Sequence, residues 1–149
     1  MSFAGVRRAG AGDLPAWNAM RMALWPDADD TAQALLAQLA RDDMAVWLAL
    51  RADGEPLGFA EASLRRDHVN GTDSSPVGFL EGLYVDPAWR RGGVGRALVE
   101  AVERWTHERG CSELASDALL DNTGSHAAHV AYGFEETQRV VYFRKQVHG

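Results

Sequence analysis

From Val94 to Trp105 the apolar residues Val94, Ala97, Leu98, Ala101, Val102 and Trp105 recur at i, i+3, i+4, i+7, i+8 and i+11, while Arg96, Glu100, Glu103 and Arg104 take the other side. That period predicts an amphipathic helix with one face on a core. Just before it, "GFLEGLYV" (78–85) is a β-branched and aromatic run that reads as a strand. Asp86-Pro87 ends it by removing the next ladder donor. The same reasoning organises the rest of the chain. "FAGVRR" predicts a short first strand, and Leu14, Trp17, Met20 or Arg21, and Leu24 predict a helix with Asp13 as N-cap that stops near Trp25 because of Pro26. "DDTAQALLAQLA" predicts a second short helix, and "AVWLALRADGEPLGFAEASLRR" a hairpin turning at Asp53-Gly54. "DHVNGTDSSP" is rich in turn formers and predicts an exposed loop able to line a site. After Gly110 the pattern predicts a short strand at "ELAS", a helix from Asn122 to Tyr132 stopped by Gly133, and a final strand over "TQRVVYFRK". The strand, glycine turn, helix, strand unit in the second half implies an α/β (α+β) domain of three layers.

Composition narrows the class. The 149 residues, 46% hydrophobic and 24% charged, suit a single domain over 1–149, with no repeat or linker to divide it. No apolar run approaches a membrane span and the N-terminus lacks a signal peptide's apolar stretch, so no membrane partner and a cytoplasmic location are expected. The formal charge of -6 argues against nucleic acid as a partner. Cys111 is alone, which excludes an intramolecular disulfide; it reads as a buried small apolar residue.

The chemistry concentrates at Arg90, Arg91, Gly92, Gly93, Val94 and Gly95, between a strand and a helix N-terminus. There several backbone N–H groups have no intrahelical partner, the helix dipole favours negative charge, and glycines let the backbone approach phosphate oxygens. Glycine count alone fits a flexible surface turn equally well; the context favours an anion site. A dinucleotide fingerprint would need a third glycine where "GVGRAL" has leucine, and a P-loop would need Gly-Lys-Ser/Thr, which is missing.

What remains, Arg/Gln-x-x-Gly-x-Gly/Ala after a strand ending in "YVDP", resembles the pyrophosphate loop of the GCN5-related N-acetyltransferase (GNAT) superfamily. The resemblance implies a central, twisted, mostly antiparallel mixed sheet with splayed parallel strands flanked by helices. It also implies acetyl-CoA as co-substrate without any metal, held by Leu83, Tyr84 and Val85, by Arg90 through Arg96, and by Asn122 and Ser125. In the last third, "ASDALLDNTGSHAAHVAYGF" supplies Asn122, Ser125 and Gly133-Phe134, but position 129 is histidine where the superfamily's tyrosine acid stands, and Tyr132 is out of register.

"LWP" (24–26), "VNGTDSSPVGFLEG" (69–82), "ASD" (115–117) and "GFEETQRVVYFRK" (133–145) together resemble the aminoglycoside 6′-N-acetyltransferases, antibiotic-resistance enzymes, over nearly the whole chain. This implies a homodimer and an aminoglycoside substrate bound by Trp25, Asp73, Glu81, Asp117 and Glu136, with His68 where relatives commonly have tyrosine. A polycationic amino sugar needs carboxylates for its ammonium groups and an aromatic face for its rings. Taken alone, each acid reads as a solvated charge and Trp25 as a packing residue. Glu81, flanked by apolar residues in a central strand, favours a cleft.

The expected reaction is attack of an amine on the thioester, with Glu81 taking the proton directly or through water and Asp117 orienting the amine. His129 is the candidate acid for the thiolate, equally readable as a merely packed helix residue. Backbone N–H groups of Leu83 to Val85 are expected to stabilise the oxyanion, with Gly82 permitting a bulge. The loop by itself leaves open an acetyltransferase for a polyamine or peptide amine, or a non-catalytic acetyl-CoA or drug-binding module.

Overall fold

The computed structural model describes residues 2–149 in two compact parts, one ending at Asp117 and one running from Ala118 to Gly149. The first carries a five-stranded sheet in sequence order: β1 (Phe3–Arg8), β2 (Met44–Arg51), β3 (Pro56–Arg65), β4 (Val77–Val85) and β5 (Leu114–Ser116). The first four strands are antiparallel neighbours, and β5 runs parallel to β4. Three helices accompany them: α1 (Leu14–Leu24), α2 (Ala32–Ala40) and α3 (Val94–Glu108). None of the helices is long and apolar enough to cross a membrane.

Strand alternation decides which helix each side chain meets. In β2, Val46 and Leu48 join Phe59 of β3 in a core with Trp17 of α1 and Leu35 of α2. The alternate residue Trp47 packs edge-on against Trp105 of α3, ring centroids 5.7 Å apart. The apolar stripe of α3 is buried as its period predicts, with Val94, Leu98, Val102 and Trp105 all inside. The sheet is thus the middle layer between α1/α2 and α3.

Two expectations are corrected. Asp13 stands at the N-cap position of α1 but does not cap it. Its carboxylate accepts from the Gly10 N–H at 2.8 Å and from Arg7 at 2.8 and 2.9 Å, closing the 3₁₀ turn Ala11–Asp13 that precedes the helix. The Arg7 hydrogen bonds outweigh the small opposing effect of burial and hold the Asp13 carboxyl down at about 2.

The second correction concerns the C-terminal part. It contains one helix, α4 (Thr123–Ala131), ended by Gly133 at φ +94°. The final strand expected over 137–145 is not formed, because none of the five strands pairs with it. A strand exists only with a hydrogen-bonded neighbour. Its apolar side chains stay exposed, Tyr142 at 84% and Phe143 at 92%.

Candidate functional site

The site is built on β4, whose two edges differ. Toward β3 it is paired along its whole length, whereas toward β5 only Gly78, Phe79 and Leu80 have partners. From Glu81 to Val85 that second edge has no strand opposite it among the described residues. The sheet therefore opens beside Leu83, Tyr84 and Val85, an unpaired strand edge of the kind to which an extended chain can add itself.

A β-bulge marks where the cleft begins. Glu61 pairs with Gly82 and Ala62 with Leu80, which leaves Glu81 as the extra residue. A bulge lets two successive residues face one side. Glu81 points its carboxylate at Ser63 Oγ (2.6 Å) and at the Arg65 guanidinium, with Nη2 at 2.9 Å from both oxygens. Gly82 presents its bare Cα to the Trp25 ring; a Cβ there would lie 2.6 Å from Trp25 Cζ2. Glycine is required at 82 by this contact. The Glu81 side chain is 27% exposed, so it sits in a cleft as its apolar flanks suggest.

Trp25, the C-cap of α1, is half-buried between these groups. Its ring meets Phe59 edge-on at 6.2 Å, and Phe59 in turn stacks on Tyr84. Asp117 follows Ser116, the partner of Leu80, and so leaves β5 level with Glu81; it is exposed. The structure thus brings Trp25, Glu81, Gly82 and Asp117 to the mouth of the cleft.

Past the cleft, β4 leads through a 3₁₀ turn (Pro87–Trp89), started by Asp86 accepting from Ala88 N–H at 2.9 Å, to the glycine loop. Arg90 Nε donates to the Val85 carbonyl at 3.1 Å, while Arg91 takes the left-handed conformation at φ 66°. Gly93, at φ +87°, is the N-cap of α3, and a Cβ on it would meet nothing within 4 Å. Packing inside the protein therefore does not demand glycine at 93. The demand comes from its left-handed backbone conformation, and beyond it lies the first turn of α3, where Val94 and Gly95 are buried and Arg96 is exposed.

His68 and Asp73 are exposed on the loop that joins β3 to β4. That loop is more fixed than its composition suggests. The Asp73 N–H donates to Glu113 Oε1 at 2.9 Å, Ser74 Oγ donates to the same oxygen, and Ser75 Oγ donates to the Arg66 carbonyl at 2.6 Å. The Ser74 hydroxyl, with the Asp73 N–H, holds the Glu113 carboxyl below its ordinary range. Neither loop residue contributes to the hydrogen bonds of Glu81.

In the C-terminal part, Asn122 caps α4 by accepting from the Ser125 N–H at 3.1 Å. His129 Nδ1 donates to the Ser125 carbonyl at 2.7 Å, and its ring meets Phe134 edge-on at 5.2 Å. A carbonyl can only accept, so this contact places a proton on Nδ1. Glu136 is ion-paired to Arg139 and exposed.

Sequence reasoning missed Arg65 and Ser63, which occupy Glu81, and the buried pair Arg21 and Glu61. Arg65 and Ser63 share a strand face at i and i+2, a signal present in "EASLR". The acid of "FAEAS" interrupts an apolar run in a central strand, which is the mark of a buried charge needing a partner.

Residues 14–134 match the Acetyltransferase (GNAT) family. The chain is 58% identical over 139 residues to an aminoglycoside N(6′)-acetyltransferase type 1 of Stenotrophomonas maltophilia, covering 93% of this chain and 91% of that one. Among solved structures, it is similar to the aminoglycoside 6′-N-acetyltransferase AAC(6′)-Ih of Acinetobacter baumannii, with 42% identity, TM-score 0.91, and 97% and 99% of the two chains covered. It is also similar to AAC(6′)-Iy in complex with the bisubstrate analogue CoA-S-monomethyl-acetylneamine, with 44% identity, TM-score 0.90, and 99% and 100% covered.

Proposed function

Since the chain belongs to the GNAT acetyltransferase family, among its aminoglycoside 6′-N-acetyltransferases, we propose that it transfers acetyl from acetyl-CoA to the 6′-amine of aminoglycosides and so confers resistance to them. The single observation that carries the reading is the juxtaposition on β4: a bulge that aims Glu81 beside Trp25, next to a free strand edge that leads to a glycine loop. That one strand can hold both substrates end to end.

In this reading the pantetheine arm pairs with Leu83–Val85. The pyrophosphate lies on the loop Arg90–Gly95 and the first-turn N–H groups up to Arg96; Asn122 and Ser125 are proposed as cofactor contacts on the family resemblance alone. The aminoglycoside stacks a ring on Trp25 and places its ammonium groups among Glu81, Asp117 and Asp73, with His68 at the rim; Glu136 is proposed as a further substrate contact on the family resemblance alone. The incoming 6′-ammonium displaces Arg65 from Glu81, an exchange of one cation for another that keeps the carboxylate paired. Glu81 then takes the amine's proton, directly or through water, while Asp117 orients the nitrogen. The nitrogen forms its bond to the thioester carbon and a β4 backbone N–H stabilises the oxyanion; the C–S bond then breaks as the intermediate collapses, and the new amide nitrogen gives up its second proton to solvent. His129 Nε2 is the proposed proton donor to the thiolate. Holding two substrates in line supplies much of the rate, since the thioester is already reactive.

We also read the chain as one acetyltransferase domain working in the cytoplasm as a homodimer. The exposed run Val140–Phe143 supports the dimer: it is β-branched and aromatic like a strand, wholly apolar, and has no strand beside it in one copy. The function is tested by incubating purified protein with acetyl-CoA and kanamycin and locating the new acetyl group by NMR. Acetylation at the 6′-nitrogen is expected; a different nitrogen, or none, rejects the proposal.

A further inference from the structure

Beneath the acceptor side lies a group of charges that the reaction as described does not use. Arg21 of α1 is 7% exposed and Glu61 of β3 is 4% exposed, and they form a buried ion pair. Glu61 also accepts from Trp17 Nε1 at 3.0 Å and Gln38 Nε2 at 3.3 Å, so both of its oxygens are fixed. The other arm of Arg21, Nη2, reaches Asp30 at 2.8 Å, in the segment between α1 and α2. Burial opposes the Arg21 charge, and hydrogen bonds to Glu61 and Asp30 more than restore it.

A well-packed apolar pair would serve stability at least as well as a buried ion pair, so this one calls for a different account. Its geometry supplies one. The Arg21 guanidinium carbon lies 4.9 Å from the centroid of the Trp25 ring, and the Trp25 N–H donates to the Arg21 carbonyl at 2.7 Å. The backbone bond closes α1 at Trp25 whatever stands at 21, while the Arg21 guanidinium packs on the indole of the residue that touches Gly82 beside Glu81. The guanidinium also stands over Trp17, at 5.6 Å, and its Nε is buried with no partner. Two forked carboxylate contacts and two ring faces dictate where it stands, even at the expense of one donor. A methionine or lysine could fill the volume but could not hold a planar group parallel to these demands.

We propose that Arg21 is a positioning residue: anchored by Glu61 and Asp30, it fixes the Trp25 ring against Gly82 and thereby sets the wall on which a sugar ring of the acceptor lies next to Glu81. The inference rests on the reading of Trp25 and Glu81 as acceptor-site residues. Acetyl-CoA, held further along β4 and by the glycine loop, does not depend on it.

Breaking the pair on one side leaves a buried charge and endangers the fold. The test therefore uses Arg21→Met combined with Glu61→Gln, which removes both charges and keeps an acceptor for Trp17 Nε1. Asp30→Asn, at a half-exposed position, is the milder companion. The double variant raises the aminoglycoside KM roughly ten- to hundredfold, the scale of a misplaced substrate wall. Its acetyl-CoA KM stays within about twofold, and in a Trp25→Ala background the same pair of changes has no further effect, because the wall is already gone. Asp30→Asn shifts the aminoglycoside KM in the same direction by a smaller factor. Equal changes in both KM values, a loss of kcat alone, or full additivity with Trp25→Ala overturns the proposal, since each marks a general structural defect. A second readout needs no turnover. In protein carrying 5-fluorotryptophan, the ¹⁹F resonance of Trp25, identified by its loss in Trp25→Phe, moves or broadens in the double variant. An unmoved resonance overturns the positioning role even if the wild-type protein acetylates no aminoglycoside, a result that by itself rejects only the substrate reading.

Discussion

At the scale of single residues, the proposed reaction puts the largest share of the chemistry on Glu81. It is the extra residue of the β4 bulge, held by Ser63 and Arg65, and in the proposed reaction a substrate cation takes Arg65's place. Replacing it by glutamine keeps an oxygen for hydrogen bonding but removes the base. Glu81→Gln is expected to lower kcat/KM about a hundredfold or more at pH 7, the usual worth of a positioned base. The deficit should narrow as the pH rises and more of the amine arrives unprotonated. Steady-state rates from pH 6 to 9 check this; a pH profile parallel to the wild type's removes the role. Glu81 was legible in the sequence because an acid between apolar neighbours in a central strand must face a cleft or a partner. Glu61 leaves the same mark, but its partner Arg21 and the pairing of Arg65 and Ser63 with Glu81 were not legible, since each is a contact between residues 16 to 40 positions apart. Spacing within one element cannot reveal such pairings.

At the scale of elements, the strand, loop and helix around Gly93 form one device. The loop was readable from its residues: a proline stop, two arginines, three glycines and a sharply patterned helix admit few other arrangements. Gly93→Val places a Cβ where the structure is open, at a positive φ that valine disfavours. The acetyl-CoA KM should rise roughly tenfold or more, the worth of one or two charge-assisted hydrogen bonds lost to phosphate. The aminoglycoside KM should hardly change, and an unaltered acetyl-CoA KM would sink the assignment of this loop. Other elements show where local pattern runs out. Asp13 looks like a helix cap, yet its carboxylate serves Arg7 and the Gly10 N–H one turn earlier. The preceding strand brings Arg7 within reach, and only the paired sheet decides that.

At the scale of the whole molecule, the layered fold follows from hydrophobic period alone, because each helix has one apolar stripe and each central strand two apolar faces. The C-terminal run 137–145 is the exception. It has a strand's sequence and no strand's partner within one chain, and the missing neighbour is what one sequence cannot display. In the proposed homodimer a second copy supplies it. The full chain should run as a dimer in sedimentation at micromolar concentration, and a chain ending at Glu136 should run as a monomer; a monomeric full chain contradicts the dimer. The account as a whole stands on regiospecific transfer of acetyl to one nitrogen. The most direct measurement is CoA release with acetyl-CoA and two aminoglycosides alike except for a 6′-amine or a 6′-hydroxyl. Turnover with the amine and not with the hydroxyl is the result expected from Glu81 beside Trp25 at the head of the cleft. Equal turnover with both, or turnover with neither while acetyl-CoA still binds, would contradict it.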